Sequence, residues 1–99
     1  MEVFEKLYDD YEHVKVRFIG FSSFETRYDF GIVFTNLFFG KPLVICMQTG
    51  RSVLMELRDL EDTDYLQSAF KLRERREAMD LADFLKEELP GTSFQNEYE

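Results

Sequence analysis

The amino-acid sequence predicts an α+β domain in which a four-stranded antiparallel β-meander is followed by two C-terminal helices packed on one face of the sheet. Apolar residues recur at every second position through much of the first half of the chain, which is the period of a half-buried strand. Residues typical of turns lie between these runs. The connections are too short for helical crossovers, so neighbouring strands should be antiparallel. Beyond Leu57 the apolar spacing becomes three and four residues, which is the period of a helix that packs against a sheet.

The first predicted strand covers residues 13–19 and leads to a turn in residues 22–26. Val14, Val16 and Phe18 alternate with basic residues there, so we expect these three side chains to face the core. This placement also argues against an aromatic and basic surface for nucleic acid. The opposite face of the sheet is expected to be exposed to solvent or covered by a partner, and it carries Lys15, Arg17, Asp29 and Thr35.

Three further strands are predicted. The second, residues 28–35, contains Gly31, which suggests a bulge or a close backbone approach. Residues 43–47 are apolar on both faces and are typical of a central strand. Residues 48–51 predict a short hairpin loop whose glycine can take a positive φ, and residues 52–57 then form the fourth strand.

Two helices are predicted in the rest of the chain. The acids of residues 59–64 suit an N-cap and a first helical turn. The cations of residues 71–76 are favourable near the C-terminus of the preceding helix, which places a break near residues 70–73. One long kinked helix is the alternative. An apolar stripe over residues 78–89 predicts the last amphipathic helix.

Length and charge narrow the class of protein. The 99 residues predict a single domain at residues 1–99, with an ordered core at residues 12–89 and a frayed tail at residues 90–99. The net charge of −8 works against nucleic-acid binding, because contacts to phosphate require a basic surface. The sequence has no apolar run of membrane-spanning length, and its single cysteine is consistent with a reducing compartment. We therefore expect a cytoplasmic protein that binds neither nucleic acid nor a membrane.

No catalytic residue, metal site or cofactor is predicted. His13 is the only histidine, and its position beside Glu12 at the start of a strand is typical of the surface. Cys46 lies in an apolar strand and is predicted to be a buried core residue. The glycines form neither a dinucleotide-binding fingerprint nor a P-loop. These observations favour a protein that is not an enzyme, but they leave an enzyme open.

The aromatic content is the least ordinary feature of the sequence, which has eleven Phe and five Tyr residues. Leu37, Phe38 and Phe39 are consecutive at the end of a strand, so alternation sends at least one of them to the wet side. We expect a cover for this surface, and a second subunit would make the protein a homodimer. The alternative cover is residues 2–11, whose apolar spacing would suit a short amphipathic helix.

Several segments resemble a family of small uncharacterised proteins, classed as a domain of unknown function, from bacteria of the Bacillus and Staphylococcus type. The resemblance covers residues 8–89. It implies a cytosolic, compact α+β protein and brings no agreed activity or catalytic residue. The segments that carry it are YDFGIV (residues 28–33), FFGKPLV (residues 38–44) and QTGR (residues 48–51), followed by an acidic helix at Tyr65 and Leu66 and a charged last helix.

Three functions are compatible with the sequence. The first is a non-enzymatic interaction or regulatory module that self-associates, or binds a protein partner, through its aromatic surface. The second is a small anion-binding protein or hydrolase that uses the 48–52 hairpin, where Arg51 and Ser52 could act with Lys41 on a phosphate or carboxylate. The third is an acidic inhibitor or nucleic-acid mimic, because residues 59–99 carry twelve acids and five bases.

Overall fold

The computed structural model describes residues 3–23 and 25–89, and these residues form one antiparallel sheet with two helices on one of its faces. The strands lie in sequence order, which confirms the predicted meander and the α+β class. The strands are β1 (Lys15–Ser23), β2 (Thr26–Phe34), β3 (Leu43–Cys46) and β4 (Ser52–Leu54), and the helices are α1 (Thr63–Phe70) and α2 (Arg75–Glu88). A short 3₁₀ turn at Phe38–Gly40 lies between β2 and β3, and a second one at Leu57–Glu61 lies between β4 and α1.

The core lies between the sheet and the two helices. Side chains of β2 and β3 that share one face of the sheet pack against the apolar stripes of α1 and α2. The ring of Phe30 meets that of Phe70 edge to face, with 5.5 Å between their centroids. The fully buried residues of this core include Phe30, Ile32, Val44, Leu66, Phe70, Leu81 and Leu85.

The predicted face assignment for β1 is wrong. Phe21 pairs with Tyr28 and stacks on Phe84 of α2, so odd-numbered residues of β1 face the helices. Arg17 has this parity and forms a 2.8 Å ion pair with Glu88. Phe18 has the other parity and is 75% exposed. Alternation shows which side chains share a face, but it does not show which face the helices cover.

The adjacent basic and aromatic residues of β1, Arg17 and Phe18, point to opposite faces of the sheet. The aromatic ring and the guanidinium therefore do not form one surface for nucleic acid. Lys15 lies on the helix side with Arg17, whereas Asp29 and Thr35 lie on the other side, so the four residues predicted to share a face are divided between two.

The fourth strand is shorter than predicted. β4 ends at Leu54, and Met55 then turns into the core, where its N–H donates a 2.9 Å hydrogen bond to the carbonyl of Pro42. The backbone of residues 57–61 forms a 3₁₀ turn instead of continuing the strand. The carboxylate of Asp59 accepts a hydrogen bond from the N–H of Glu56, which stabilises the start of this turn.

The two predicted C-terminal helices are confirmed, with the break where it was expected. α1 ends at Phe70, and Lys71 takes a left-handed conformation with φ of 57°. Arg75 begins α2, so this cation lies in the first turn of a helix rather than at the end of the preceding one. It forms a 2.7 Å ion pair with Asp64, which offsets its unfavourable position in the helix dipole.

Residues 3–14, which precede β1, have no regular secondary structure. Residues 3–11 contain no helix, so the amphipathic helix considered for residues 2–11 is absent from their described part. A helix this short is marginal in water unless it docks. The tail predicted for residues 90–99 lies outside the described residues.

Cys46 is fully buried in β3, as predicted. We therefore expect a thiol reagent to label the native protein slowly and the unfolded protein quickly. Cys46→Ala should lower the free energy of unfolding by about 1–3 kcal/mol, because it leaves a small cavity in the core. An added exposed thiol, Met79→Cys, is the control for reagent activity. Rapid labelling of the native wild-type chain would contradict the buried position.

Candidate interaction surface

The face of the sheet turned away from the helices is apolar, and we call it the open face. The register places Val16 beside Val33, and Val33 beside Leu43 on the next strand. Leu43 in turn pairs with Leu54 on β4. Apolar side chains thus continue across all four strands on a side that neither helix covers. The exposed members of the open face are Val14, Val16, Phe18, Met47 and Leu54, with Phe38 beside them.

Phe18, which pairs with Gly31, is more exposed than the other apolar side chains named on the open face, and we call it the ridge. A Cβ atom at Gly31 would lie 3.5 Å from a ring carbon of Phe18 and 2.9 Å from Cε of Met47. The absent side chain leaves the space in which the phenyl ring and the thioether lie over the strand. The register runs through Gly31 without a bulge, and the atoms close to it are side-chain atoms and not the backbone expected from the sequence. The alternation of apolar residues predicted Phe18 in the core and gave no indication that Met47 lies on the open face. Gly31 was the one signal in the sequence for a close neighbour at this position.

A depression of about 480 Å³ lies beside the ridge. Its walls are mainly apolar and come from three strands and the segments around them. A cavity of this size is larger than the roughly 150 Å³ that holds a benzene molecule in a protein. The side chains that line it are Glu12, Val14, Val33, Thr35, Phe38, Leu43 and Leu54.

Charged groups occur at both ends of the open face, and they have partners within the chain. The carboxylate of Glu12 accepts hydrogen bonds from the hydroxyl of Thr35 and the N–H of Asn36, which lower its pKa. At the other end, Arg27 and Gln48 donate to Asp29 at 3.0 and 2.8 Å and lower the pKa of that carboxyl. The centre of the face therefore offers apolar contact, while its polar ends are already paired.

The residues predicted as an aromatic interface lie at the edge of this surface. Phe38 lines the depression, whereas Phe39 does not and is 96% exposed. Both take a left-handed conformation, with φ of 53° and 64°, which is uncommon for residues with a side chain. Leu37 is also exposed. Strained backbone that holds apolar side chains in solvent is typical of a binding surface.

The residues predicted for anion binding are not brought together. Lys41 forms a 2.8 Å ion pair with Glu56 at one end of the β3–β4 pair. Arg51 lies at the other end, where its carbonyl accepts a hydrogen bond from the N–H of Cys46. Five residues of strand separate the two positions, which is about 16 Å. Ser52 lies near Arg51, so the hairpin binding site stays a prediction without Lys41.

The acids of α2 do not form a continuous free stripe. Glu77 is buried, Asp80 accepts a 2.7 Å hydrogen bond from Ser23, and Glu88 pairs with Arg17. Among residues 3–23 and 25–89, no group of three or more potential metal ligands converges. In the same part of the chain, no helix is both long and apolar enough to cross a bilayer.

A buried carboxylate links the sheet to the start of α2. One oxygen of Glu77 accepts hydrogen bonds from the Tyr28 hydroxyl at 2.8 Å and from the N–H groups of Arg73 and Glu74 at 3.1 and 3.2 Å. Burial raises the pKa of Glu77, but these donors and Thr26 outweigh it, so the pKa lies below its usual value. Burial and the neighbouring carboxylate raise the pKa of Tyr28 to about 12.

These features define a two-layer α+β domain with one sheet face under helices and one apolar face open. The chain belongs to the SAV0927-like family, an uncharacterised family whose model matches residues 7–87. The matched region contains the whole sheet, the ridge and the depression of the open face. No curated protein matches the sequence.

Proposed function

We propose that this chain is a non-enzymatic protein-interaction module, and that its binding surface is the open face of the sheet. One observation carries the proposal: both helices pack on the same side, so the other side presents Phe18, Met47 and Leu54 to solvent. We place the module in the bacterial cytoplasm, as the resemblance of the sequence implies.

The size of the open face supports this function. Six apolar side chains there are 37–75% exposed, and two of them are aromatic rings of about 150–250 Å² each, so together they present on the order of 400 Å². The largest apolar patch on an ordinary monomer is about 300–600 Å² and is often functional. The open face is therefore within the range in which an exposed apolar patch is often functional.

The side chain of Phe18 can contribute to binding because it is not part of the folded core. Its ring lies outside the helix-covered core and passes close to Gly31. A residue 75% exposed contributes little burial to stability. Its apolar surface is thus available for a partner.

Phe18→Ser tests the proposal. We expect the wild-type chain to elute, pure or in cell extract, in a complex larger than its 11.8 kDa monomer. Phe18→Ser should shift it to the monomer position with an unchanged circular dichroism spectrum, because the variant removes a contact and not a core residue. Size-exclusion chromatography with light scattering gives both masses.

Met79→Ser is the matched control. Met79 is 49% exposed on α2, close to the 46% of Met47, but it lies on a helix and not on the open face. The control should keep the wild-type elution. A wild-type chain that is monomeric both pure and in extract would overturn the proposal, as would a complex that survives both Phe18→Ser and Met47→Ser.

A further inference from the structure

We infer that the partner on the open face is a second copy of this chain, and that the two sheets stack face to face about a two-fold axis. This inference rests on the proposed function and names its partner. Three properties of the open face support it: its relief, its charge and its area.

The relief of the open face is self-complementary. A two-fold interface brings the same patch of both subunits together, so a protrusion must meet a recess of the same patch. The Phe18 ridge is the protrusion, and the depression lined by Val14, Val33 and Leu43 is the recess. They are about two residues apart along the strands, or about 7 Å. An axis in the interface plane, passing between them near Val16, places each ridge over the other depression.

The charge of the open face permits two copies to meet. The chain carries a net charge of −8, so most contacts between copies are opposed by repulsion. At the open face, Arg27 and Asp29 form an ion pair at one end. Glu12 is held by hydrogen bonds at the other end, and the centre is uncharged. A basic partner, in contrast, would find its complement on acids elsewhere in the chain.

The apolar side chains of the open face supply about half of the area that a stable dimer needs. A standard interface buries roughly 800 Å² on each partner, and these six side chains present on the order of 400 Å². Glu12 holds the preceding chain at the rim of the depression. Residues 3–11 carry further exposed apolar side chains that can add to the contact, namely Phe4, Leu7, Tyr8 and Tyr11.

The first experiment measures the mass of the purified full chain by sedimentation equilibrium from micromolar to millimolar concentration. We expect a dimer, and we expect Phe18→Ser to weaken it by at least about tenfold. Met79→Ser is the control, because Met79 is an exposed apolar residue on α2, away from the open face, and it should leave the dimer intact.

The second experiment locates the interface. Val16→Cys and Lys15→Cys place a thiol on neighbouring residues of β1 that face opposite sides of the sheet. The native Cys46 is buried and should react slowly. The labelling rate of Val16→Cys should fall at least about fivefold as the dimer forms, whereas that of Lys15→Cys should not change.

Each other outcome overturns the inference in a distinct way. A monomer with a reactive thiol at position 16 shows that no second copy binds, while the proposed function still stands if a complex in extract depends on Phe18. A monomer with a protected thiol at position 16 shows that residues of the same chain cover the open face. A dimer that ignores Phe18→Ser and leaves position 16 reactive excludes the open face and contradicts the proposed function as well.

Discussion

Replacing Glu77 with alanine should lower the free energy of unfolding at pH 7 by about 2–4 kcal/mol. The carboxylate is buried and accepts from the Tyr28 hydroxyl and from the N–H groups of Arg73 and Glu74. Its removal takes the acceptor away from these three donors and from Thr26, and each buried donor that loses its partner costs about 1–3 kcal/mol, less where water enters. Chemical denaturation followed by circular dichroism measures the change.

The same carboxylate should make stability depend on pH. The pKa of Glu77 is lowered in the folded protein from the usual 4.5, so the folded state favours the ionised form. Its contribution is complete above about pH 4.5 and is lost as the pH falls through the folded pKa. The wild type should therefore lose stability in acid more steeply than Glu77→Gln, whose side chain has the same shape but does not titrate. Equal slopes for the two proteins would contradict this role.

Replacing Phe70 with alanine should lower the free energy of unfolding by about 3–5 kcal/mol, the usual cost of truncating a fully buried aromatic ring. Phe70 is the last residue of α1, and its ring packs edge to face on Phe30 of the sheet. It therefore joins a helix to the covered face. Thermal unfolding of Phe70→Ala measures the loss.

Phe18→Ala is the control for this second prediction. It removes the same ring from the opposite side of the sheet, where the ring is mostly in solvent. At a concentration low enough to dissociate the proposed dimer, it should change stability by less than about 1 kcal/mol. Comparable losses for the two variants would mean that the open face is part of the folding core.

The meander and the two helices could be predicted because local signals determine them. The hairpin loop around Gly50 is short, and Gly50 takes the positive φ of 74° that such a loop requires. The break at Lys71 follows from the apolar spacing in the same way, whereas the charge argument placed Arg75 on the wrong helix. The spacing of residues 3–11 was a misleading signal, since a helical pattern in a short segment forms a helix only where it can dock.

The open face could not be predicted, because both parities of β1 contain large apolar residues. Val14, Val16 and Phe18 form one set, and Ile19 and Phe21 belong to the other. Which set is buried depends on where α2 packs, and that depends on contacts between residues far apart in the sequence. The sequence did contain a signal for Glu77, since Glu74 and Glu77 have the spacing of a capping box.

The order of the elements along the chain has a consequence for biosynthesis. Every strand pairs with its sequence neighbour, so the hairpins can form in about 1–10 μs once their residues have left the ribosome. The helices that cover one side end at Glu88, and at about 5–20 residues per second their synthesis follows seconds later. For that interval the nascent sheet exposes apolar side chains on both sides. A nascent chain whose residues up to about 60 have left the ribosome should therefore be a substrate for chaperones, and the emergence of α2 should release it.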